Sequence, residues 1–103
     1  MTGAERIASE RQRQIEAEGW TAEHDATHDT GALTNAAISY SKAAEAARQG
    51  WPMKPWPDQI PPEWPWSEDW WKPSSDPIRN LEKAGALIAA EIDRLLSQPE
   101  ETL

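Results

Sequence analysis

The chain has no cysteine, no phenylalanine and no valine. Without Cys there is neither a disulfide nor a thiolate metal site, which fits a reducing compartment. Without Phe and Val, much of the large apolar surface needed for a core must come from tryptophan, each ring of which covers roughly 150–250 Å². No apolar run approaches the roughly 20 residues of a membrane span, and the opening MTGAERIASERQRQ lacks the apolar stretch of a signal peptide. A soluble cytoplasmic chain is therefore expected, with no membrane partner.

Positive charge is also scarce. Ten Lys/Arg stand against 18 Asp/Glu, for a net charge of −8. Direct binding to nucleic acid through its phosphates needs a basic face, so it is not expected. The acids are spread along the chain rather than massed in one run, which suits a solvated surface. The sharper reading is an acidic surface that contacts and inhibits a basic or nucleic-acid-binding protein. At 103 residues the chain predicts a single domain with a small core.

What the chain does have is concentrated. WPMKPWPDQIPPEWPWSEDWWKP, residues 51–73, holds six of the seven tryptophans and seven of the nine prolines. Disordered segments avoid aromatics because they bury nothing, and prolines reduce the entropy lost on ordering. The segment 51–76 therefore reads as an ordered, mostly extended strap across helices, with a short helical turn at SEDWW.

Three helices flank it. Residues 4–18 are good helix formers that stop at Gly19, a C-terminal cap. Their apolar stripe, Ile7, Arg11 and Ile15, is thin, so the stems of Arg11 and Gln14 pack against something large or face a polar site. Residues 19–30 form a turn region, with a helix start at Asp29 or Thr30. In the second helix, about 31–48, Leu33, Tyr40 and a series of alanines recur every three to four residues; such small side chains permit close helix approach. The last helix, about 77–97, opens on Asp76 as N-cap and Pro77. Its Ile78, Leu81, Gly85, Ile88, Ile92 and Leu95 step 3-4-3-4-3, which predicts a buried seam with a close neighbour at the glycine. The tail 98–103 is expected to fray. The fold class is all-α, a three-helix hairpin or bundle with a long strap between the second and last helices.

Two clusters offer chemistry. EHDATHD brings together His24, His28 and several acids, suiting ligand or partner contact or a structural turn, but it completes no metal motif: HExxH places the Glu after the first His. A metal-dependent nucleotide phosphohydrolase of the MazG kind would need ExxE and ExxD pairs on its helices, and none is found. No catalytic residue, metal ligand or cofactor is assigned. The second cluster joins aromatic planes to cations: Trp64, Trp66, Trp70, Trp71 and Lys72 in the strap, with Arg79 and Lys83 just beyond. Rings that stack a base beside cations that meet phosphate are the elements of a nucleotide pocket. Arg11 and the His24/His28 turn complete the predicted ligand-binding set. The unpaired amides at the start of the last helix, next to WWKP, offer another place for an anion. A homo-oligomer that buries some tryptophans between subunits is also expected.

The order ERQRQIEAEGWTAEHDATH, small-residue helix, WPW, WWKP and LEKAGALIAAEIDRL resembles a family of small proteins encoded by bacteriophages and prophages. The resemblance spans nearly the whole chain. The family pattern usually has a second acid where this chain has Ala26, and an acid where it has Asn80. What the resemblance implies is a phage accessory protein in the cytoplasm of a bacterial host, acting by binding on host defence or regulation. EGW also faintly resembles the Gly-Trp pattern of nucleotide-sensing helical domains related to the ryanodine-receptor repeat.

Overall fold

The computed structural model describes residues 1–19, 31–52 and 60–97. Within them the protein is all-α, with three helices, α1 (Gly3–Glu18), α2 (Ala32–Arg48) and α3 (Pro77–Leu96), and a single 3-10 turn, Glu68–Trp70. The SEDWW turn and all three helices lie where the sequence predicts them, except that the helix start expected at Asp29 or Thr30 is corrected: Gly31 is the N-cap and Ala32 the first helical residue. The His24/His28 turn, residues 53–59 and the tail 98–103 lie outside the described residues.

Local chemistry sets the helix ends. At the start of α1, the Thr2 hydroxyl accepts from the Glu5 amide (3.2 Å) while the Glu5 carboxylate accepts from the Thr2 amide (2.9 Å), a capping box. The helix stops at Gly19, whose φ of 70° is left-handed backbone that a side chain would strain. The N-cap of α2 is Gly31, with no side-chain cap. Its far end closes in a Schellman motif: Gly50 takes a φ of 83°, its amide reaches Ala47 O, and the Trp51 amide reaches Ala46 O (3.0 Å each). Asp76 caps α3 by accepting from the Ile78 amide (2.9 Å), with Pro77 at the first helical position.

Helix α3 is the central element, packed against both α1 and α2 and more extensively against α2. Ala36, Ala37 and Ala43 of α2 meet Ala84, Leu87 and Ala90 of α3, so the small side chains do let the two backbones approach closely. Leu33, Tyr40 and Trp71 complete this core, and Ile60, Trp64 and Trp66 pack against it. The strap therefore supplies rings to a core whose helices contribute mainly alanine.

Side-chain clips from α2 and α3 hold the strap. Lys42 of α2 pairs with Glu63. Asn80, fully buried on α3, accepts from the Ser74 amide and donates to the Ser74 carbonyl, both at 2.7 Å.

The expectation of a buried heptad seam on α3 is corrected. Ile78, Leu81, Ile88, Ile92 and Leu95 are all 50–53% exposed. The face turned to the core is instead Asn80, Ala84, Leu87, Ala90 and Arg94. Alanines on both helices allow a closer α2–α3 contact than branched side chains would, so the small face wins the core and the aliphatic face turns outward. The close neighbour expected at Gly85, a backbone or a Trp ring, is instead the side chain of Ile7 of α1: a Cβ on the glycine would lie 2.6 Å from Ile7 Cδ1.

Candidate functional site

A cavity of about 460 Å³ opens between the C-terminal half of α1, α2, the strap and α3. Such a volume falls within the range of small-molecule sites. Its floor is Leu33 and Leu87, its aromatic wall is Tyr40, Trp64, Trp66 and Trp70, and its polar wall is Glu10, Arg13, Gln14, Glu18, Lys72 and Lys83, with Ser67 at the strap's turn.

The aromatic wall is built around Trp64. Its ring meets Tyr40 edge-on (5.7 Å between centroids, 90°) and Trp66 edge-on (5.3 Å, 89°), and tilts against Trp71 (4.9 Å). The Trp64 indole N–H donates to the Ser67 carbonyl (3.0 Å), which fixes the ring's rotation. Trp71 is 4% exposed and stacks at a tilt on Tyr40 (4.8 Å), so it backs the wall rather than lining the cavity. Trp70, 63% exposed, stands at the mouth with the Lys72 ammonium 6.0 Å from its ring. Burial first, against the Lys72 amide's hydrogen bond, pushes the Tyr40 phenol up to about 12, so it stays protonated.

The polar wall rises from α1. Glu10, Arg11 and Gln14 are buried, so this helix faces a polar site as its thin apolar stripe allowed. Burial alone would raise the Glu10 carboxyl. Hydrogen bonds from Arg13 (2.7 and 2.8 Å), the bond and charge of Arg79 (2.8 Å) and a bond from Gln14 Nε2 (3.0 Å) outweigh it and hold Glu10 at about 2. Glu10 is thus a fixed carboxylate with its oxygens satisfied. Gln14, 2% exposed, spends its amide N–H on Glu10, and its buried Oε1 has no hydrogen-bond partner among the described residues. An unpaired buried acceptor costs about 1–3 kcal/mol, and a ligand N–H placed there would recover it.

Two cations complete the wall. Lys83 reaches over the Tyr40 ring (5.4 Å) and donates to the Lys72 carbonyl (2.7 Å); burial, then the nearby charge of Arg79, lowers its ammonium pKa. Among the described residues neither Lys72 nor Lys83 pairs with a carboxylate. In a chain of net charge −8 this is the arrangement an anion would require.

Of the residues predicted from sequence, Trp64, Trp66, Trp70, Lys72 and Lys83 line one cavity. Three others stand elsewhere. Trp71 is core, Arg79 bridges Glu10 and Glu82, and the buried Arg11 directs Nη2 toward Asp93 (3.5 Å). His24 and His28 fall outside the described residues. At the start of α3 the Asp76 carboxylate accepts from the Ile78 amide, so one of the amides offered to an anion is already taken. Sequence reasoning did not assign Glu10, Arg13, Gln14, Glu18 or Tyr40 to the site. The available signal was the polar stripe of α1, whose spacing brings residues 10 and 14 to one face. Among the described residues no group of three or more His, Asp or Glu is placed to hold a metal. No described helix is long and apolar enough to cross a membrane. Compared with known protein families, curated proteins and solved structures, the chain matches none.

Proposed function

We propose that this protein is a non-enzymatic binding protein that captures a nucleotide-type ligand: a flat heteroaromatic ring carrying an N–H donor and an anionic group. The observation that carries this reading is the cavity's composition. Among the described residues, indole faces stand beside a buried acceptor without a donor, Gln14 Oε1, and two lysines without carboxylate partners. The base would stack against Trp70 and Trp66, its N–H would meet Gln14, and its phosphate would meet Lys72 and Lys83. A phage accessory role, sequestering such a ligand to blunt a host response, follows from the motif order and is part of the same proposal. So is a homo-oligomeric state.

Titration calorimetry of the full chain against mononucleotides and cyclic and linear dinucleotides tests it. At least one class is expected to bind, and Trp70→Ala and Lys72→Ala are each expected to weaken that binding about 10-fold, as loss of one stacking or charged contact implies. Both side chains are exposed, so neither change removes core. No heat across the panel, or equal affinity in both variants, contradicts the proposal.

A further inference from the structure

Among the described residues the aliphatic stripe of α3 is covered only at Gly85. Ile78, Leu81, Ile88, Ile92 and Leu95 are each about half exposed, Leu96 is 78% exposed, and Ile38 of α2 adds a further 39% beside Ile88. Residues 78–95 rise about 26 Å along the helix. The only break is Gly85, and there Ile7 of α1 lays its side chain over the bare backbone, so the apolar surface is continuous. Monomers seldom expose a connected apolar patch larger than roughly 300–600 Å², and a stripe of this length at half exposure reaches that range.

We propose that this stripe is the interface of an antiparallel homodimer. Three observations select a second copy of the chain as the occupant. First, the 3-4-3-4-3 spacing is the seam period of paired helices, and it reads the same in both directions. Two antiparallel copies therefore bring Ile78 opposite Leu95 of the partner subunit, Leu81 opposite Ile92 of the partner subunit, and the Gly85 layer, covered by Ile7, opposite Ile88 of the partner subunit, and the two-fold axis repeats each layer. A self-complementary patch of this kind is what an isologous dimer needs. Second, the acids that flank the stripe are already neutralised. Glu82 is held by Arg6 and Arg79 (3.1 Å each) and Glu91 by Arg94 (2.6 and 3.0 Å), so two chains of net charge −8 meet across a neutral strip. Third, the stripe and its neighbours Ile7, Ile38 and Leu96 together approach the area per partner, roughly 800 Å², of a standard specific interface.

The dimer stands independently of what the cavity holds, since the lining of the cavity shares no residue with the stripe. Sedimentation equilibrium on the full chain, without nucleotide, is expected to give the dimer mass at micromolar concentration. Ile88→Glu and, separately, Ile92→Lys replace exposed side chains and are expected to raise the dimer Kd at least about 100-fold while leaving the helical circular dichroism intact. Orientation is read by disulfide trapping, because the chain has no cysteine of its own. An equimolar mixture of Leu81→Cys and Ile92→Cys chains is expected to cross-link as the mixed pair. A wild-type chain that stays monomeric at high micromolar concentration overturns the proposal. So does a folded Ile92→Lys chain that dimerises as before, or a Leu81→Cys chain that cross-links more readily with itself than with its counterpart.

Discussion

At the scale of single residues, two adjacent tryptophans have opposite duties. Trp71 is buried against Tyr40 and Trp64, whereas Trp70 is mostly exposed at the cavity mouth. Trp71→Ala is expected to cost about 3–5 kcal/mol of stability as a large core truncation, and Trp70→Ala less than about 0.5 kcal/mol as a surface change. Urea denaturation of the two variants measures this difference. Glu10 gives the second residue-level expectation. Its folded pKa of about 2 lies below the ordinary 4.5, so its stabilisation is fully present above about pH 4.5 and is lost as pH falls toward 2. Glu45, Glu63 and Glu91 are shifted in the same direction by their basic partners Arg48, Lys42 and Arg94. Glu10→Gln should therefore flatten, without abolishing, the fall in stability over that window. At neutral pH it should cost about 1–2 kcal/mol, less than a fully buried pair would, because Arg13 and Arg79 remain partly hydrated. None of this was visible in the sequence, where Glu10 was one acid among 18: its role comes from Arg79, which approaches it only once α1 and α3 are packed.

At the scale of elements, the helices and most of their ends were legible because capping and glycine stops are local signals: Gly19, Gly50, Asp76 and Pro77 act where they stand in the chain, whereas the start of α2 at Gly31, which has no side-chain cap, was not. The orientation of α3 was not. Periodicity reveals that one face is aliphatic, but it does not say what covers that face, and here a rival face of Ala84, Leu87 and Ala90 fits closer to α2. The described part of the strap, residues 60–76, was legible as ordered because tryptophans are built to bury, and its end before α3 is fixed by a buried amide. Asn80 both accepts from and donates to Ser74. Asn80→Asp keeps the acceptor but turns a donor into a carboxylate oxygen facing the Ser74 carbonyl. The change is expected to cost about 1–3 kcal/mol and to speed hydrogen exchange of the Ser74 amide, the strap's last anchor before α3.

At the scale of the whole molecule, the helices present two distinct surfaces. On one, the strap and α1 enclose a cavity of rings and unneutralised lysines; on another, α3 shows a stripe spaced to match its own reverse. The sequence made the components of the cavity legible, because the aromatic and cationic residues are neighbours in the chain. The α1 side of the cavity, some 50 residues away, depends on how α1 crosses α3 and could not be read in advance. The central claim is that the cavity receives a ligand against its indole rings. The most direct measurement is the ¹H–¹⁵N spectrum of the indole N–H groups during titration with the nucleotide that binds in calorimetry. The account predicts shifts for Trp64, Trp66 and Trp70, while Trp51, exposed beyond the end of α2 and outside the cavity, stays in place. Stationary Trp64, Trp66 and Trp70 signals at saturating ligand would contradict it.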